Sequence, residues 1–210
     1  MGKKMMKESS TTAADLLELT EEIVIPMCSI QRTITLPTTP ARRENDAEHS
    51  FGLAVLACSL ASRSSSDLDT GRIAEYALVH DLIEIHTGDR SVYADVRPGM
   101  SGDGVQEDLT GRAAGNFGSS FPWVNTRVRD YLRQADEESR FVYALDKIVP
   151  HAIVLLTNQH PLSPTWHEYL RTEEIARDKV LRAYPLLLPV FDELCAMFAA
   201  RPHLFRASDT

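Results

Sequence analysis

Tyr76-Ala77-Leu78-Val79-His80-Asp81-Leu82-Ile83-Glu84-Ile85-His86-Thr87-Gly88-Asp89 is an apolar run broken by a His-Asp pair, a following carboxylate and a closing Thr-Gly-Asp. On a helix, neighbouring side chains point about 100° apart, so His80 and Asp81 share one ion only where that helix is closely approached. Glu84 lies at i+4 from His80 and i+3 from Asp81, on the same side. Titratable groups on a core-facing side are costly unless something pairs with them. A divalent cation is the simplest partner for imidazole plus carboxylate. A buried His-Asp hydrogen bond with Glu84 at the surface explains the same residues without one.

Ile73, Ala74, Ala77, Leu78 and Val79 give this stretch its helical pattern, with Asp69 or Thr70 as N-cap and Gly88 as the C′ residue. Upstream, Asn45-Asp46-Ala47-Glu48 has the form of a capping box. His49 then falls in the first turns of a helix carrying Phe51, Leu53, Ala54, Val55, Leu56 and Leu60 and ending before Ser64. Taken singly, His49 reads as a solvated early-helix residue. Gln31-Arg32-Thr33-Ile34-Thr35-Leu36, followed by Pro37 and Pro40, predicts extended or looped chain. A helix begins at Thr12 with Leu16, Leu17 and Leu19 as its apolar face, and Pro26 interrupts it or starts a second piece. Residues 1–10 read as a disordered tail.

Downstream, residues 90–120 are rich in Gly, Ser and Asp and read as a long connection with one short helix near Gln106–Ala114. A long helix is predicted from about Thr126 to Leu156, kinked at Pro150, with Asp146 set among Val142, Leu145 and Val149. Alone, Asp146 also reads as a surface residue beside Lys147. Further helices are expected over Thr165–Ala183 and, after Pro185 and Pro189, to about Ala199. With no repeat, heptad or strand-rich region, residues 11–205 form one all-α domain.

The net charge of −8, from 22 basic and 30 acidic residues, argues against a nucleic-acid polymer as partner. Cys28, Cys58 and Cys195 are odd in number and far apart, which favours a reducing compartment. No stretch approaches the roughly 20 apolar residues of a membrane span, so a cytoplasmic protein is expected.

Together the candidates run His49, then His80-Asp81 thirty-one residues on (80 − 49), then Asp146 sixty-five after Asp81 (146 − 81). Two imidazoles and two carboxylates from three helices make a mixed N/O site for a divalent ion, with positions left for water and a substrate oxygen. This order resembles that of the HD-domain superfamily of metal-dependent phosphohydrolases, which are all-α helical bundles. Ala47-Glu48-His49-Ser50 and the His80–Asp89 segment are similar to the bacterial 5′-deoxynucleotidase branch and its HD-domain-containing-2 relatives, as are Asp136-Glu137-Glu138 and Asp146-Lys147. The likeness spans about residues 30–160.

The resemblance implies that His49, His80, Asp81 and Asp146 hold one divalent ion (Mn, Co, Fe, Ni, Zn or Mg). Glu84 would act as general acid/base or orient water, and Asp89 would help position water or substrate. Arg32 is the nearest equivalent of the branch's phosphate-binding arginine, with Arg42 or Arg43 able to share that role. Thr33 stands where the branch carries a tryptophan that helps exclude a 2′-hydroxyl, and Arg90-Ser91-Val92-Tyr93 replaces its Pro-rich loop. The implied activity is hydrolysis of (deoxy)nucleoside 5′-monophosphates by a homodimer. The alternatives are a triphosphohydrolase drawing on Arg42, Arg43, Arg90, Arg97 and Lys147, or an HD-fold ligand-binding protein without turnover.

Overall fold

Capping side chains set most helix starts in the computed structural model, which describes residues 11–64, 67–88, 117, 121–158 and 164–205. Helix α1 (Ala13–Leu19) opens on Thr12, boxed with Asp15, and continues through a π-helical turn, Thr20–Val24, into α2 (Ile25–Ser29). Pro26 sits in the first turn of α2, directly after the π-helical turn. Strands β1 (Gln31–Leu36) and β2 (Arg42–Asn45) form an antiparallel ribbon, with Thr35 facing Arg43 and an irregularity between Gln31 and Thr35. The extended chain expected here is thus a paired hairpin, a small addition to an otherwise all-α fold.

Asn45 and Glu48 make the expected capping box at the head of α3 (Asp46–Arg63). Asp69 caps α4 (Thr70–Val79) by accepting from the amides of Gly71 and Arg72. A turn over residues 80–83 leads into the short α5 (Glu84–Thr87), then come α6 (Pro122–Leu132) and α7 (Glu137–Thr157). Thr165 and Glu168 box the start of α8 (Trp166–Ala183), and α9 (Leu188–Ala199) closes the bundle.

Three local expectations are corrected. The helix carrying the His-Asp pair stops at Val79, and Gly88, at φ 70°, closes α5 instead. The single helix expected from Thr126 to Leu156 is two, because Gln134 turns left-handed at φ 48° and Asp136 accepts from the Ser139 amide to start α7 afresh. Pro150 lies inside α7 without ending it. On α1, Leu16 and Leu17 face solvent, and Leu19 alone of the three packs inward. The expected tail (1–10), Asp89, Arg90, Arg97 and the short helix near 106–114 lie outside the described residues.

Helix α3 lies against α4, and both pack on α7, whose far side carries α8 and α9. Leu53, Ala57, Ile73, Tyr76, Val142, Leu145, Val180 and Phe191 fill that centre. A second cluster (Met27, Val79, Leu82, Phe121, Val124, Val128) joins α2 and α6 to the end of α4. A third (Ile34, Val154, Tyr169, Phe198, Leu204) ties β1 to α7 and the C-terminal helices. The ribbon is therefore held over the middle of α7, beside the head of α3 and the tail of α4. Among the described residues, the buried acids and the two most buried histidines gather where these four elements meet.

Candidate metal centre

Each side chain of the cluster arrives through a local feature of its element. His49 sits in the first turn of α3, facing inward because Ser50 and Leu53 share its buried side. His80 follows the last residue of α4, where helix carbonyls run out of amide partners. Its Nδ1 lies 2.8 Å from the Ala77 carbonyl, which only an Nδ1–H satisfies, so Nε2 is the atom left to face the interior. Asp81 comes from the turn after α4, and Asp146 from the middle of α7. All four are buried, with His49 and His80 2% and 3% exposed.

His80 Nε2 lies 2.9 Å from Asp81 Oδ2 and 3.7 Å from Asp146 Oδ1. His49 Nε2 lies 3.0 Å from Asp146 Oδ1 and 4.0 Å from Asp81 Oδ2. The inward atoms of His49, His80 and Asp81 all fall within 4.8 Å of one another. A neutral His80 with its proton on Nδ1 would set a lone pair against carboxylate lone pairs. That arrangement is repulsive unless a cation stands between them. Two imidazole nitrogens and two carboxylate oxygens form a donor set suited to a borderline divalent ion, whose charge offsets both carboxylates. The residues fit such an ion.

The electrostatics carry the same demand. Burial opposes a charged His80, yet Asp81 beside it and Asp146 overcome that and push its pKa up to about 10. Burial likewise works against ionised Asp81, but His80 and Arg32 pull it down to about 2. Asp146 is held well below the usual carboxylate range because Lys147, His49 and His80 outweigh its desolvation. With protons alone to supply positive charge, the cluster takes one onto an imidazole.

Around this centre lies a second ring of contacts. Arg32, from β1, places Nη1 2.6 Å from Asp81 Oδ2 and 3.4 Å from Asp46 Oδ1. Lys147 Nζ is 2.6 Å from Asp146 Oδ2, which turns Oδ1 toward the two histidines, and it lies 5.1 Å over the Tyr143 ring. Glu84 offers an oxygen within 4.8 Å of oxygens from both Asp81 and Asp46. Tyr131 sets its ring edge 5.9 Å from His80, and burial beside Asp146 and Asp81 raises its pKa well above the ordinary phenol, so it stays protonated.

The structure therefore brings together His49, His80, Asp81, Asp146, Glu84 and Arg32. The solvated reading of His49 and the surface reading of Asp146 are both overturned, since each is buried and faces the other. Arg42 engages the capping Glu48 through both guanidinium nitrogens, at 2.7 and 2.5 Å, and is 48% exposed. Arg43 is exposed on β2. Two buried acids were missed as members of the site: Glu44, and Asp46, which lies between the two residues of the capping box. No helix among the described residues is long and apolar enough to cross a membrane.

Among curated proteins none matches the chain. A solved structure described as a predicted metal-dependent phosphohydrolase from Magnetospirillum magnetotacticum MS-1 is similar, with a TM-score of 0.69 and 24% identity, covering 92% of this chain and 98% of that one. That likeness shows the fold. The HD domain family model matches residues 28–181, a span that includes all four inward-facing ligand candidates and Arg32. The chain belongs to the HD-domain family.

Proposed function

We propose that this protein is a metal-dependent phosphohydrolase that removes phosphate from (deoxy)nucleoside 5′-monophosphates. The observation that carries the reading is the set of imidazole nitrogens and carboxylate oxygens converging at 2.9–4.0 Å, with a guanidinium at its edge. Membership of the HD-domain family supports it, as does the name given to the similar Magnetospirillum protein. His49, His80, Asp81 and Asp146 would hold the ion. When bound, a divalent cation there supplies Lewis-acid polarisation of a phosphoryl oxygen and lowers the pKa of water.

The chain's own groups do the rest. Arg32 donates to phosphate oxygens and offsets their charge beside the acidic cluster. Glu84, adjoining Asp81 and Asp46, takes the proton of the attacking water and delivers one to the departing 5′-oxygen. Lys147 keeps Asp146 ionised and aimed inward. Asp89, one residue past Gly88, is retained as a further water-positioning group from the family resemblance. Arg42 and Arg43 are left to the surface. A homodimer and the preference for a nucleotide rest on the resemblance, and a cytoplasmic setting on the spacing of the three cysteines and the lack of a membrane-length apolar run.

The test is orthophosphate release by protein stripped of metal and reloaded with Mn²⁺, Co²⁺ or Mg²⁺, against ribo- and deoxynucleoside mono- and triphosphates. Turnover of monophosphates supports the proposal, and the deoxy/ribo ratio measures the effect of Thr33 in place of tryptophan. Release of intact triphosphate alone would replace the proposal with a triphosphohydrolase. Metal binding without turnover of any compound would leave a ligand-binding protein.

A further inference from the structure

Glu44 is a charged residue with no assigned role, 6% exposed, at the corner where β2 turns into α3. Its Oε2 lies 3.4 Å from His49 Nδ1, on the opposite edge of the ring from Asp146. The same oxygen is 3.8 Å from Arg32 Nε. His49 thus lies between two carboxylates, and a neutral imidazole carries one proton, enough for one of them. If that proton sat on Nε2, the bare Nδ1 would confront Glu44. If it sits on Nδ1, Glu44 accepts it and Nε2 turns a lone pair toward the centre.

We infer that Glu44 is a positioning residue for the metal centre, fixing His49 as the Nδ1–H form so that Nε2 is the coordinating atom. This rests on the metal reading of the cluster. Carboxylates that orient a ligating histidine in this way also raise its basicity, and removing them lowers metal affinity by about 10–100-fold. The pairing completes a pattern on all four inward groups: His80 is oriented by the Ala77 carbonyl, Asp81 by Arg32 and Asp146 by Lys147. Glu44 also joins the ligand side of the site to Arg32, so one residue of β2 sets the mutual placement of ion and proposed phosphate group.

The experiment uses the full chain with Glu44→Leu, which removes the acceptor but fills the space, and Glu44→Gln, which keeps an acceptor oxygen without charge. Mn²⁺ affinity is read by competition with a chelator, and the tautomer of His49 by ¹⁵N NMR of the Zn²⁺-loaded protein labelled at histidine. The expected result is a loss of about 10–100-fold for Glu44→Leu, substantial recovery in Glu44→Gln, and a parental His49 protonated at Nδ1. Affinity of Glu44→Leu within about twofold of the parent, or a His49 metallated through Nδ1, overturns the inference. Should Glu44→Leu fail to fold, the parental tautomer and Glu44→Gln decide. His80→Ala separates the two levels: if it binds Mn²⁺ as the parent does, the metal reading itself has failed. If it loses Mn²⁺ while Glu44→Leu retains it, only the role of Glu44 has failed.

Discussion

Replacing Asp146 by alanine should separate what this residue does for stability from what it does for an ion. Asp146 is 5% exposed, and its Oδ2 lies 2.6 Å from the Lys147 ammonium, whose side chain is 25% exposed. Removing one member of a buried ion pair costs about 3–5 kcal/mol, because the other charge stays behind. Lys147 reaches water in part, which lowers the expectation to about 2–4 kcal/mol. The sign follows from Asp146 being held well below the usual carboxylate range, since the fold favours its ionised form. Lys147→Met in the same chain removes the stranded charge, so the double variant should recover stability with a coupling of about 1–3 kcal/mol. It should not recover metal binding, because Oδ1 is gone. Urea melts of the four metal-free proteins and a Mn²⁺ titration of each supply the numbers. A coupling under about 0.5 kcal/mol, or Mn²⁺ affinity restored in the double variant, would refute the reasoning.

Other expectations follow from the same contacts. Arg32→Ala should lower kcat/KM on a monophosphate by about 10–100-fold, the worth of a charged hydrogen bond, when measured at Mn²⁺ concentrations that saturate the variant, since Arg32 also donates to the ligand Asp81. In metal-free protein, His80 raised to about 10 from an ordinary 6.5 contributes stability that is complete below pH 6.5 and lost as pH rises through 10. Urea midpoints should therefore fall across that range, and a level profile would count against the charge balance described. Tyr76→Phe removes a phenol that donates to Asp136 at 2.6 Å and accepts from Arg72 at 3.1 Å. Half-exposed Arg72 reduces the expected loss to about 1–2 kcal/mol of unfolding free energy, read by chemical denaturation.

The ligand candidates were legible because each sits in, or directly after, a strongly patterned helix. His80 and Asp81 break an apolar run, Asp146 interrupts another, and the Asn45–Glu48 box fixes where α3 begins, while His49 joined them only through the order of all four residues. Glu44 carried no such signal. It belongs to a four-residue strand, and its meeting with His49 depends on how β2 corners into α3, which no periodicity encodes. Asp46 lies inside the Asn45–Glu48 stretch whose capping pattern rests on the other two polar residues, so nothing in it marked Asp46 as buried. The break between α6 and α7 was hidden for a related reason. Arg133 to Glu138 are mostly good helix formers, and only Asp136, an able N-cap, marks the new start. The turn at residues 80–83 was equally silent, since Leu82 and Ile83 continue the apolar pattern while their backbone leaves the helix.

The central claim is one divalent ion held by His49, His80, Asp81 and Asp146, and equilibrium dialysis against Mn²⁺ followed by plasma mass spectrometry tests it most directly. The prediction is one ion per chain in the parent and a loss of that ion in each of His49→Ala, His80→Ala, Asp81→Ala and Asp146→Ala, with every variant first shown to be folded by circular dichroism. Parental Mn²⁺ content in folded His80→Ala, or none in the parent, would contradict it.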